Sequence, residues 1–127
     1  MTATSSKPED MRRARRRPAR ATAAWTRSYD DPIQVTAGER VRFTGPTDVW
    51  DGRTWLWALA RDGREGWLPD WLCDAAGLVR IDYDAGELTV AEGEVVEASA
   101  EQHGWRWCAA ATGREGWVPA RLLADLR

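Results

Sequence analysis

The sequence predicts an all-β chain: two consecutive small barrels preceded by a basic arm. Three observations carry this: an internal duplication, apolar residues that alternate with period two, and turn residues at regular spacing with no helical apolar period across residues 25–127. Gly63-Arg64-Glu65-Gly66-Trp67-Leu68-Pro69 recurs 50 positions later as Gly113-Arg114-Glu115-Gly116-Trp117-Val118-Pro119. Trp55-Leu56-Trp57-Ala58 recurs as Trp105-Arg106-Trp107-Cys108 at the same shift. Val35-Thr36-Ala37-Gly38-Glu39 recurs as Val90-Ala91-Glu92-Gly93-Glu94, shifted by 55. The order of landmarks divides the chain into an arm at 1–24, a first domain at 25–75 and a second at 76–127.

The arm comes first. Residues 1–24 carry seven basic groups against two acidic ones, whereas 25–127 carry eleven against eighteen, so the overall charge of −2 conceals a division. Ala, Arg, Ser, Thr and Pro dominate the arm, and too few apolar side chains are present to offset its ordering entropy, which predicts disorder. Each unit then reads as strands. Val41 and Phe43 alternate with Arg40, Arg42 and Thr44; Trp55 and Trp57 share one strand face, Leu56 and Ala58 the other. Asp62-Gly63 and Thr112-Gly113 suit tight hairpins. The five extra residues of the first unit fall in a long loop predicted over residues 45–52, whose shorter counterpart lies near 100–104. The join at Leu72-Cys73-Asp74-Ala75-Ala76-Gly77 is too short for a flexible tether.

Nine Trp against one Phe and two Tyr is the compositional anomaly, and all nine lie between Trp25 and Trp117. Each indole can bury about 150–250 Å², which lets a very small domain assemble a core. No run approaches the roughly 18 apolar residues of a membrane span, and Ala21-Thr22-Ala23-Ala24-Trp25 after the Arg run reads as too short and too polar for a secretory leader, so a cytoplasmic location is expected. Cys73 and Cys108 form no disulfide framework and have no metal-ligand spacing. No cofactor or metal is expected. His103 has no partner nucleophile, and no two carboxylates stand out as an acid–base pair, so no catalysis is expected.

The landmarks resemble an SH3 domain, twice over. In that family an opening Ala-Leu-Tyr-Asp-Tyr segment leads through the RT loop to a Gly-Asp/Glu element. A Trp-Trp-x-Ala strand and a closing Gly-Tyr-hydrophobic-Pro segment follow. The second unit offers Val79-Arg80-Ile81-Asp82-Tyr83, Trp105-Arg106-Trp107-Cys108 and Gly116-Trp117-Val118-Pro119. The first offers Trp25-Thr26-Arg27-Ser28-Tyr29, Trp55-Leu56-Trp57-Ala58 and Gly66-Trp67-Leu68-Pro69. The resemblance implies five-stranded barrels and an aromatic groove that grips extended, proline-rich or basic peptides. Carried over position by position, that groove comprises Tyr83, Trp105, Pro119 and Leu122, with Asp84 and Glu87 attracting a basic ligand residue. In the first unit it comprises Tyr29, Trp55, Pro69 and Leu72, with Asp30 and Asp31 nearby. Trp67 and Trp117, at a Tyr position that supports the barrel, are expected in the core.

This chain also departs from the family. Only Asp84–Glu87 separate the opening Tyr of the second unit from the next apolar landmark, where the family's RT loop is longer, and Ile81, Arg27 and the closing Leu stand at aromatic positions. The expected function is thus a non-catalytic peptide-binding module acting mainly through the second domain. A different reading gives the role to Arg12, Arg13, Arg15, Arg16, Arg17 and Arg20, which would neutralise nucleic-acid phosphates while the barrels serve as scaffold. The same arginines would also suit an intramolecular contact with the acidic body.

Overall fold

The computed structural model describes residues 16–126. The strands are β1 (Arg17–Ala21), β2 (Gln34–Val35), β3 (Arg42–Trp50), β4 (Arg53–Leu59), β5 (Glu65–Pro69), β6 (Tyr83–Asp84), β7 (Val95–Gln102), β8 (Trp105–Ala109), β9 (Glu115–Pro119) and β10 (Leu123–Asp125), with one 3-10 turn at Ala120–Leu122. The chain divides into two compact units, and one of them is discontinuous: residues up to Tyr29 join residues from Glu87 onward, while residues 30–86 form the other. The repeat had predicted a division at 25–75 and 76–127. The difference comes from the opening strands.

The first unit is one five-stranded sheet in the order β10-β1-β7-β8-β9. β1 lies within it, antiparallel to β10 (Ala19↔Asp125, Ala21↔Leu123) and to β7 (Ala19↔Val96, Arg17↔Ala98). The predicted disorder of 1–24 is therefore corrected for Arg17–Ala21; residues 1–15 lie outside the described residues. Two ladders satisfy the backbone of this strand on both sides, and its alternation turns Ala19 and Ala21 inward with under 2% exposure. They join Leu88, Val90, Val96, Ala98, Cys108 and Val118 in a core against which Trp25 and Leu123 pack.

The second unit has a three-stranded sheet, β3-β4-β5, and a short ribbon, β2-β6. Its core is Ile33, Val35, Val41, Ala58, Ala60, Leu68, Leu72, Cys73 and Val79. The pieces equivalent to β1 and β10 shrink here to single bridges, Arg40↔Leu78 and Cys73↔Val79. Neither unit's strands close, so the expectation of two five-stranded barrels is corrected to two open β units.

The hydrogen bonds of the two units correspond. The Ala21 N–H donates to the Glu94 carbonyl and Gly93 N–H to Ala21, each at 2.8 Å; Val79 N–H donates to Glu39 and Gly38 N–H to Val79, also at 2.8 Å. Thr22 N–H reaches the Leu122 carbonyl as Arg80 N–H reaches Leu72. Trp25 bridges Val90 as Tyr83 pairs with Val35. Leu78-Val79, expected to open the second copy, thus opens the unit of residues 30–86, where it follows the closing bridge through a tight turn.

The expected long loop at 45–52 is instead a hairpin. β3 and β4 pair out to Trp50↔Arg53 around a two-residue turn, Asp51-Gly52, with φ of 51° and 76°. The counterpart is His103-Gly104 between β7 and β8, with φ of 55° and 91°. Both residues with positive φ make the turn type that matches strand twist. The five extra residues lengthen each strand by two and the bulge by one, because paired backbone is better satisfied than a loop. The turns at Gly63 and Gly113 form as expected, with φ of 95° and 92°. Among the described residues, no helix is long and apolar enough to cross a membrane.

Candidate functional site

The aromatic positions lie on the outer faces of the two hairpin sheets, set there by strand period. In β8, Trp105 and Trp107 point one way while Cys108 enters the core; in β4, Trp55 and Trp57 lie opposite Ala58. The repeated glycine has a steric reason. A Cβ on Gly116 would come within 2.7 Å of the Glu87 and Leu88 backbone, and one on Gly66 within 2.7 Å of the Ile33 side chain. The chain that returns to each unit crosses there.

In the first unit, Trp105 pairs with Pro119, and the Ala120 N–H donates to the Gly104 carbonyl, bringing the turn bearing Leu122 alongside β8. Trp25 stands edge-on to Trp105, with centroids 5.7 Å apart and planes at 80°. Such a pair contributes about 0.5–1.5 kcal/mol beyond its buried area. Its indole N–H donates to Glu87 Oε1 at 3.1 Å, and the Ser28 N–H and hydroxyl donate to the same oxygen at 2.9 and 2.8 Å. Glu87 pins the arm that carries Trp25.

The expected site residues divide between the two units: Tyr83 and Asp84 belong to the unit of residues 30–86, and Glu87, Trp105, Pro119 and Leu122 to the first unit. Trp25 stands where Tyr83 was expected, and Tyr83 serves the unit of Trp55, Pro69 and Leu72. Tyr29, 43% exposed, ends the first unit's leading segment. The acidic side chains are also partly engaged, Asp84 Oδ1 accepting from Gly86 N–H at 2.7 Å and Asp31 pairing with Arg64 at 3.1 Å.

Burial limits what the expected indoles can offer a ligand. Trp55 and Trp105 are only 8% and 9% exposed, and Leu72 is fully buried. Indoles buried to this extent have little area left for a ligand. Trp25 and Leu122 are half-buried and present the accessible apolar surface of the first unit. Trp117 is buried as expected, at 5% exposure, whereas Trp67 is only half-buried. They pair across the strands with Trp57 and Trp107, edge-on at 5.0 and 5.1 Å, and the Trp57 and Trp107 indoles each donate to a glutamate, Glu65 or Glu115, at 2.8 Å.

Sequence reasoning missed Trp25 because it matched Trp25–Tyr29 to Val79–Tyr83. The available signal was the interval of four from Ala21 to Trp25, which equals that from Val79 to Tyr83. Of the six arm arginines, Arg12, Arg13 and Arg15 lie outside the described residues. Arg16 is half-buried, Arg17 and Arg20 are exposed on β1, and Arg20 donates to the Gly93 carbonyl at 3.1 Å. Burial pushes the Cys108 thiol up to about 12, opposite to what a reactive thiolate needs.

Against known families, residues 78–125 match the model of the variant SH3 domain. By sequence, this stretch is similar to an SH3 domain. No curated protein matches the chain. No solved structure matches it either. The domain type points to a protein-interaction module.

Proposed function

We propose that the protein is a non-catalytic interaction module that seats an extended peptide, proline-rich or basic, on the Trp25–Trp105–Leu122 face of the first unit. The observation that supports this reading is the edge-on Trp25–Trp105 pair beside Pro119 and Leu122. Trp105 supplies a floor, while Trp25 and Leu122 supply the surface a ligand touches. Extended peptides suit such a face because they lose little entropy on docking. The other unit is the poorer receptor, since Leu72 is fully buried where Leu122 of the first unit is half-buried.

The test is a titration of the full chain with twelve-residue peptides, proline-rich with and without arginine, followed by amide chemical shifts. Perturbations are expected at Trp25, Trp105 and Leu122, with Trp25→Ala weakening binding at least about tenfold, the scale of a 1.4 kcal/mol hot-spot loss. Unchanged affinity in a folded Trp25→Ala protein would overturn the assignment.

A further inference from the structure

We propose that the β1 slot of the first unit, between β7 and β10, accepts either of two segments of the same chain, so that the protein has a second, tandem strand pairing. In the structure the slot holds Arg17–Ala21. The equivalent slot of residues 30–86 holds Leu78-Val79 through the same set of backbone bonds. Two quite different sequences therefore satisfy one pattern, which main-chain pairing permits. An independent observation concerns the alternative occupant directly. The match to the variant SH3 domain runs contiguously over 78–125 and so includes Leu78-Val79 as the opening segment of the very body that β1 opens in the structure.

Three features hold the chain in the nested form. The first is the hinge. Only Ala85, Gly86 and Glu87 separate β6 from Leu88, and a short hinge favours running on to another body over turning back. The second is a latch at residues 74–77. Asp74 Oδ1 accepts from Ala76 and Leu78 N–H at 2.9 and 3.0 Å, and Gly77 N–H donates to the Asp74 carbonyl at 3.0 Å. Gly77 has φ +87°, and a Cβ there would collide with the Val41 carbonyl oxygen. The third is core size: Ala21 lies opposite Leu123, and Val79 opposite Cys73, a small residue against a large one in each unit. Tandem pairing would set Val79 against Leu123 and Ala21 against Cys73, crowding one core and hollowing the other. Exchange also changes the ring beside Trp105 from Trp25 to Tyr83, so the two forms present different ligand faces. The strand exchange itself stands without the peptide reading.

The experiment uses the full chain with exposed cysteine reporters. Arg20 and Val95 are paired in the nested form, whereas Leu78 and Val95 pair only in the tandem form. In a Cys73→Ala/Cys108→Ala background, Arg20→Cys with Val95→Cys should oxidise to an intramolecular disulfide, and Leu78→Cys with Val95→Cys should not. Gly77→Ala with Cys73→Leu, Leu123→Ala and Cys108→Ala removes the latch and inverts the size pairs. There the predominant intramolecular disulfide should switch to 78–95. Persistence of 20–95 alone, or exclusively intermolecular disulfides, would overturn the proposal. If that combination forms neither disulfide, inserting four glycines between Gly86 and Glu87 in the first background gives the deciding readout. A 78–95 disulfide supports exchange, and none refutes it.

Discussion

The two units run the same hydrogen-bond pattern with opposite divisions of labour. In the first, the opening strand is five residues long and paired on both sides, yet it contributes only Ala19 and Ala21 to the core. In the second, the opening piece is reduced to bridges at Leu78 and Val79, but Val79, Leu72 and Leu68 fill the core. One unit leans on backbone pairing, the other on side-chain packing. The lesson is that the slot, more than the sequence that fills it, is the repeated element.

The largest effect should come from deleting residues 1–24. Disorder in this segment would make the deletion harmless. With β1 inside the sheet, the deletion removes two ladders and the Trp25-bearing arm loses its anchor. Amide protection should collapse across β7–β9 while persisting across β4–β5, as hydrogen exchange would show. Next, Leu72→Ala should cost about 2–5 kcal/mol in denaturant unfolding, because Leu72 is fully buried. Leu122→Ala at the matching, half-buried position should cost clearly less. Equal costs would break the contrast between the units.

Much of this was legible in the sequence, and the rest was hidden for physical reasons. The duplication, the strand faces of Trp55 and Trp105 and the Gly63 and Gly113 turns follow from spacing alone. β1 did not, because alanine and proline have low strand propensity and the strand is held by neighbours more than 70 residues away. Nor did the nesting, since contiguous and exchanged pairings satisfy the same backbone pattern in equivalent registers. The site was legible as a set of residue types, but not as a set of neighbours, for the same reason.

Smaller effects sharpen the comparison. Glu87→Ala removes three donors' acceptor and should destabilise the first unit by about 1 kcal/mol, with Trp25 fluorescence shifting toward solvent. The Asp74 carboxyl is held below its ordinary value of 3.8, chiefly by the Leu78 N–H, and then by Ala76 N–H and nearby Arg80 and Arg40. Its contribution is present above that value and is lost as pH falls through the lower folded one. Acid below pH 3.8 should thus loosen the residue 74–77 turn, and Asp74→Asn should flatten that dependence in amide exchange of Leu78. Least of all, both thiols should resist alkylation at neutral pH, with Cys73 reacting before Cys108, since burial raises both but Cys108 to about 12.

The most direct test is a cross-strand nuclear Overhauser map of the full protein. Nesting predicts contacts of Ala19 with Val96 and Asp125, and of Val79 with Cys73. A spectrum in which Leu78 and Val79 contact Val95 and Leu123 as the major form, with none from Ala19 to Val96, would contradict it.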